Sequence, residues 1–363
     1  MSDTLADNWQ SFAVVFGVAL VLSLVLTPWT IWLSHRLGVV QEPGGRRRHQ
    51  RPTGQLGGLA IVIAFVVAVL VAQFMPVGRT DDKEIIRLSG LLIGGIFIYG
   101  IGFVDDKYEL GPLQLYLGQL IAGAIAIFFL IFIESFNNPL TGTVVGGWPY
   151  AVTVTITLFW LGIMMNTVNF LDGLDGLASG VTAIASLMIF IHATFQLNQV
   201  SVGLLPLALF GATLGFLVYN FYPARIFMGG GAVFLGYTLG VLSIIGGAKM
   251  ATILLVMGLP LMDVAWQIVR RASQGRNPMH GDRGHLHFRL LDLGYSQRTI
   301  VMGYYFFCTM FGAIALITAS RLFKLISLLV MAAILVGTFA MVSWRSSRHT
   351  HLGASIRSAS DQT

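Results

Sequence analysis

Two amides, two carboxylates and three glycines fall within Asn166-Thr-Val-Asn-Phe-Leu-Asp-Gly-Leu-Asp-Gly-Leu-Ala-Ser-Gly180, between apolar runs each long enough to cross a bilayer. Ionisable groups at membrane depth are costly and face a wet cavity or a partner, so the stretch reads as functional. The partner that suits it is phosphate chemistry. Asn166 and Asn169 are three apart, as are Asp172 and Asp175, so each pair shares one face if the stretch is helical. Gly173 and Gly176 directly follow the carboxylates and let a ligand or a second backbone come close. A kinked membrane helix bonded to its neighbours explains one Asn and one Asp, but not the whole array.

Three more constellations carry candidate chemistry. Residues 44–58 place four arginines and His49 immediately before an apolar run. A positive-inside anchor explains the arginines. It does not explain Gly54, Gly57 and Gly58, which suggest a backbone approaching a phosphate, with Arg48 or Arg51 supplying charge. Asp105 and Asp106 are adjacent and repel unless a cation or proton sits between them, which suits a magnesium site or a base. The loop 269–298 carries Asp282-Arg283-Gly-His285-Leu-His287, in which histidines two apart make a weak metal site but a better anion-binding loop. Asp263, three residues after Pro260, adds a carboxylate that binds substrate with this loop or pairs with Arg270 or Arg271.

The elements that position these groups are membrane helices. With 363 residues, 55% of them hydrophobic and 10% charged, and a mean hydropathy of +0.77, the chain cannot hide its apolar side chains in a soluble core. At about 20 apolar residues per crossing, the sequence predicts an all-α polytopic protein with eleven spans: 11–33, 56–75, 88–104, 113–133, 150–166, 177–196, 202–221, 232–247, 250–268, 299–319 and 322–344. With the N-terminus outside, all 22 Lys and Arg residues except Arg79, Lys83, Arg87, Lys249, Arg321 and Lys324 fall in the cytoplasm. That asymmetry is what the positive-inside rule expects. It also puts every polar constellation at the cytoplasmic face and the C-terminus inside. Residues 1–10 lack a basic n-region, so the first span is expected to be retained. Residues 1–344 form a single integral-membrane catalytic domain, and the polar tail 345–363 is expected to be disordered. Cys308, the one cysteine, excludes an intrachain disulfide framework. The net charge of +6 sits in cytoplasmic loops, so lipid head groups and an anionic substrate account for it without a nucleic-acid partner.

In order along residues 30–295, the basic-His-x-x-Pro…Gly-Gly (48–58), Gly-x-x-Asp-Asp (102–106), Asn-x-x-Asn-x-x-Asp-Gly-x-Asp-Gly-Leu-Ala-x-Gly (166–180), Phe-Met-Gly…Phe-Leu-Gly (227–236), Pro-x-x-Asp (260–263) and Asp-Arg-x-His-Leu-His (282–287) pieces resemble the polyprenyl-phosphate N-acetylhexosamine-1-phosphate transferases. The resemblance implies ten or eleven spans, a multi-pass bacterial inner-membrane location and a cytoplasmic active site. It also implies Mg²⁺-dependent (or Mn²⁺-dependent) transfer of a sugar-1-phosphate from a UDP-sugar to undecaprenyl phosphate, in a monomer or a homodimer. By carry-over, Asp105, Asp106 and Asp172 are catalytic and metal-binding. Arg48, His49, Arg51, Asn166, Asn169, Asp175, Asp263, Arg283, His285 and His287 bind substrate.

Three departures accompany the resemblance. The family's Met-Gly-Asp aspartate, a magnesium ligand, is missing from the shortened Met228-Gly229-Gly230-Gly231-Ala232; Leu115 stands for a lysine, and Phe288 for a histidine. The His-Leu-His loop favours UDP-N-acetylglucosamine as donor over UDP-N-acetylmuramoyl-pentapeptide. The missing ligand admits a silent binding relative. A secondary transporter predicts internal repeats and midplane charges, and the sequence has neither.

Overall fold

The computed structural model describes residues 2–42, 52–79, 81–247, 250–275, 284–318 and 320–360. Helix α1 (Ser2–Leu37) leads into a short antiparallel ladder, β1 (Val40–Gln41) against β2 (Thr53–Gly54), with Val40 opposite Gly54. Helices α2 (Gly57–Ala72), α3 (Glu84–Tyr108) and α4 (Pro112–Phe128) follow, and a hairpin of β3 (Ser135–Asn137) and β4 (Val144–Gly146) joins α4 to α5 (Tyr150–Leu171). Helix α6 (Leu177–Ile191) closes in a π-helical turn at His192–Gln196, before α7 (Val200–Asn220) and α8 (Gly231–Ile244). The C-terminal part holds α9 (Met250–Val256), α10 (Gly258–Ser273), the short α11 (Leu286–Asp292), α12 (Gln297–Ile317) and α13 (Arg321–Ser360).

Each predicted apolar segment except the ninth falls on one of these helices. Among the described residues seven helices are long and apolar enough to cross a membrane, and the bent pair α9–α10 makes an eighth if it is one span. Helices α2, α4 and α8 are apolar but shorter. The chain is an all-α, polytopic integral membrane protein.

Two features depart from the sequence reading. The ninth segment is two helices bent by 75° rather than one. Pro260 lies in the first turn of α10, where a missing N–H is harmless, while its ring bars a straight continuation from α9. Helix α13 runs on to Ser360, through residues where polar composition predicts disorder. Once its apolar part has nucleated the helix, each added residue contributes a backbone hydrogen bond.

Helix α7 packs on α1, α2 and α6, and α8 packs on α3 and α5. Gly211 and Gly215 bring α7 against the α1 backbone: a β-carbon at either would sit 2.8 Å from Phe16 O or 2.7 Å from Leu20 O. Small residues at this spacing drive helix association where lipid removes the hydrophobic effect. The ends of α3 and α5 and the starts of α2 and α8 meet around one cavity.

Candidate active site

Asp105 and Asp106 occupy the last turn of α3, and Asp172 caps the C-terminal end of α5. All three line one cavity of about 260 Å³, together with Asn169 and His285. Asp105 Oδ1 accepts the Leu110 N–H at 2.9 Å, which turns the chain out of α3. Asp106 Oδ2 accepts the Gly230 N–H at 2.7 Å, placing a carboxylate at the positive end of α8.

Close backbone contact makes this arrangement. A β-carbon at Gly102 would lie 2.5 Å from Gly230 Cα, and one at Gly58 would lie 2.5 Å from Gly231 Cα, so α2, α3 and α8 meet main chain to main chain. Gly57 and Gly58 donate their N–H groups to Phe227 O and Met228 O, each at 3.0 Å, and Phe227 N donates to Gly54 O at 2.8 Å. This corrects the phosphate-cradle reading of residues 54–58. Those two amides are spent on a seam that fixes the 227–231 loop, and the glycines are needed for packing.

Other expected site residues divide. Asn169 and His285 face the cavity. Asn166 does not line it; its amide donates to Gln119 Oε1 at 2.8 Å and to Gly162 O at 2.8 Å, clasping α5 to α4. Because α5 ends at Leu171 and α6 begins at Leu177, Asp172 and Asp175 do not share a helical face. Asp175 Oδ2 instead accepts the Ala224 N–H at 3.0 Å and ties down the segment before α8. Asp263 is buried, with Oδ2 at 3.1 Å from His285 Nδ1 and Oδ1 accepting the Leu286 N–H at 3.0 Å. His287 is fully buried beside Gly173, where a β-carbon would lie 2.8 Å from its Nε2. Burial pushes its pKa down to about 3, so at neutral pH it is an uncharged ring rather than a cationic phosphate ligand. Arg48, His49, Arg51 and Arg283 lie outside the described residues.

Among the described residues no three His, Cys, Asp or Glu side chains form a ready-made metal cluster. Carboxylates facing a polar cavity nevertheless fit Mg²⁺, which commonly takes one or two protein oxygens and completes its octahedron with water and substrate phosphate. Asp105, Asp106 and Asp172 are the cavity-facing donors of that kind.

The sequence matches known proteins along most of its length. The model of the family described as glycosyl transferase family 4 matches residues 88–247. The chain is 32% identical over 324 residues to a protein of Bacillus subtilis (strain 168) named as a probable undecaprenyl-phosphate N-acetylglucosaminyl 1-phosphate transferase, covering 87% of each. It is 32% identical to a decaprenyl-phosphate N-acetylglucosaminephosphotransferase of Mycolicibacterium smegmatis, over 89% of this chain and 85% of that one. It is also 34% identical to a phospho-N-acetylmuramoyl-pentapeptide-transferase of Desulforudis audaxviator, over 80% of this chain and 93% of that one. The chain belongs to glycosyl transferase family 4. It is an enzyme of the polyprenyl-phosphate sugar-1-phosphate transferase type, as the motifs implied.

In this transferase, sequence reasoning missed several groups that build the site. Gln41 and Gln55 line the cavity beside the β1–β2 ladder, and Phe170, Phe227 and Phe288 supply its aromatic wall. Asn220 is a buried hub: its Oδ1 accepts from Gly176 N at 3.1 Å and Ser179 Oγ at 2.8 Å, and its Nδ2 donates to Ile226 O at 3.0 Å. A lone amide at the end of an apolar helix was its one visible signal.

Proposed function

We propose that the enzyme transfers N-acetylglucosamine-1-phosphate from UDP-N-acetylglucosamine to undecaprenyl phosphate, releasing UMP and initiating a cell-envelope polysaccharide. The observation that carries this reading is the gathering of Asp105, Asp106 and Asp172 with Asn169 and His285 in one polar cavity at the ends of apolar helices. A lipid acceptor keeps its tail in the bilayer while its phosphate meets a soluble nucleotide sugar, so the reaction belongs at that boundary. The same reading takes all eleven apolar segments as spans, with the N-terminus outside and the cavity at the cytoplasmic face of the bacterial inner membrane.

An oxygen of the lipid phosphate attacks the β-phosphorus of the donor; one P–O bond forms, the bond to the bridging oxygen breaks, and UMP leaves with that oxygen. Asp105 or Asp106 orients the lipid phosphate or takes its proton. Asn169 and Asp172 hold the nucleotide side. The chemistry Mg²⁺ supplies when held by Asp105, Asp106 and Asp172 is neutralisation of charge on the diphosphate and the leaving UMP.

The muramoyl-pentapeptide donor is the second reading, favoured by the 34% identity to the Desulforudis audaxviator protein. Purified protein in detergent, given undecaprenyl phosphate and magnesium, is expected to release UMP from UDP-N-acetylglucosamine. Release only with the muramoyl-pentapeptide donor would replace the first reading with the second. Tight UDP-sugar binding with no UMP from either donor would make the chain a silent relative.

A further inference from the structure

A buried carboxylate–imidazole pair stands behind the cavity wall. Asp263 and His285 are 3% and 2% exposed, so solvent does not compete for the contact between them. A carboxylate only accepts hydrogen bonds, and both Asp263 oxygens are engaged, Oδ1 by Leu286 N at 3.0 Å and Oδ2 by His285 Nδ1 at 3.1 Å. The hydrogen on Nδ1 therefore points at Asp263, and the lone pair of the neutral ring is left on Nε2. The ring is also wedged flat, with centroids 4.9 Å from Phe170 and 5.7 Å from His287. His285 lines the cavity while Asp263 does not. Yet Nε2 is buried with no hydrogen-bond partner among the described residues. A buried polar atom without a partner is rare and asks for one.

We propose that Asp263 is a positioning residue: it locks the His285 ring in the Nδ1–H form, so that Nε2 accepts a hydrogen bond from an N–H or O–H group of the nucleotide sugar. This rests on the donor-binding reading of the cavity given above. Asp263 thus serves the donor through His285 rather than touching it.

Asp263→Asn tests this with little disturbance of the fold, because the amide oxygen still accepts the Leu286 N–H. The amide N–H group, however, now faces Nδ1 and forces the hydrogen onto Nε2, turning an acceptor into a donor. In ¹⁵N-histidine spectra, with the His285 signals identified by their loss in His285→Gln, the wild type should show protonated Nδ1 and bare Nε2. Adding UDP-N-acetylglucosamine should move the Nε2 resonance, and Asp263→Asn should exchange the two. In turnover, Asp263→Asn and His285→Ala should each raise KM for the donor about tenfold with little change in kcat, the signature of binding felt equally in ground and transition states. The double variant should be no worse than His285→Ala alone. Additive losses, a wild-type ring already protonated on Nε2, or an Nε2 resonance indifferent to the donor would overturn the proposal. Absence of UMP release from the wild type would instead strike the functional reading, and the spectra would still decide the ring.

Discussion

At the cavity Asp105, Asp106 and Asp172 face space a substrate can enter, whereas just behind it Asn166, Asp175 and Asp263 are turned onto the protein. The stretch from Asn166 to Gly180 contributes to both sets, and its Asp172 and Asp175 stand three residues apart. What separates them is access to the cavity, since Asp105 and Asp106 also accept main-chain N–H groups. The inward set holds main-chain N–H groups, a ring and a neighbouring helix, and so fixes geometry. The cavity set keeps oxygens where phosphate and cation chemistry occurs. Loss of a cavity carboxylate should therefore remove turnover and spare the fold, whereas loss of Asn166 or Asp175 should touch stability more than turnover, and Asp263, which reaches the cavity through His285, stands between the two.

The sharpest break of that comparison comes from Asp105→Asn, Asp106→Asn and Asp172→Asn. Each keeps shape and removes charge, and losing a base or metal carboxylate should lower UMP release by about 10²-fold or more. Thermal unfolding in detergent should stay near wild type. Near-normal turnover in all three would mean that the cavity has been assigned the wrong chemistry.

The glycine run beside Asp106 sharpens the comparison from the other direction. Gly229-Gly230-Gly231 supplies no side-chain oxygen, and its main chain donates to Asp106 at 2.7 Å. A carboxylate that caps a helix is less available to a cation than one whose oxygens both face the cavity. We expect the chain to hold magnesium weakly in its donor complex and to turn over slowly. An aspartate inserted between Gly229 and Gly230 should raise the rate by about 10²-fold or more, with a matching fall in the magnesium concentration needed. The inserted residue must displace the Gly230–Asp106 bond, because a β-carbon at Gly229 already meets Gln55 O and Asp106. Equal rates with and without the insertion would show that the three existing carboxylates suffice.

At His285 the two classes meet in one residue, which lines the cavity while its Nδ1 is held by Asp263. His285→Ala should raise KM for the donor about tenfold, the cost of leaving a polar group of the substrate unsatisfied. A loss confined to kcat would move His285 into the reacting set.

The helices were legible because about 20 apolar residues in a row leave membrane spanning as the solution for the backbone. The break at α10 was less so: Pro260 was visible, but whether a proline starts a helix or kinks one depends on what packs around it. In the site, the types and spacing of Asp105, Asp106, Asn169, Asp172 and His285 pointed to residues that the fold gathers. Spacing could not tell Asp172 from Asp175, because that distinction depends on where α5 stops. Nor could it show that Gly57 and Gly58 serve packing, since a glycine beside a phosphate and a glycine beside another backbone look alike in sequence.

His287 tests the buried side of the comparison through pH. Its folded pKa, near 3, lies below its ordinary value of about 6.5, so the unfolded chain binds the proton first as pH falls. Its contribution is complete above about pH 6.5 and is lost progressively toward pH 3. Between pH 7 and pH 4 the unfolding temperature of the wild type should fall more steeply than that of His287→Leu, which has no ring to charge. Identical pH dependence would show that the ring is not held neutral in the folded protein.

The smallest effect belongs to Asn166, a polar residue three positions before Asn169 that does not line the cavity. Its amide bonds across to Gln119 and back to Gly162 O, so Asn166→Leu deletes one interhelical contact and leaves the Gln119 amide to repack. Hydrogen bonds between membrane helices contribute about 0.6 kcal/mol on average, because the alternative state finds partners too. We therefore expect a slightly lower unfolding temperature, with KM and kcat for UMP release within about twofold of wild type. The outcome has more reach than its size. If Asn166→Leu instead lost turnover as steeply as Asp172→Asn, the α4–α5 clasp would be setting the position of Asn169, three residues further along α5, and of Asp172 at its C-cap, and the line between residues that position and residues that react would have to be drawn nearer the cavity.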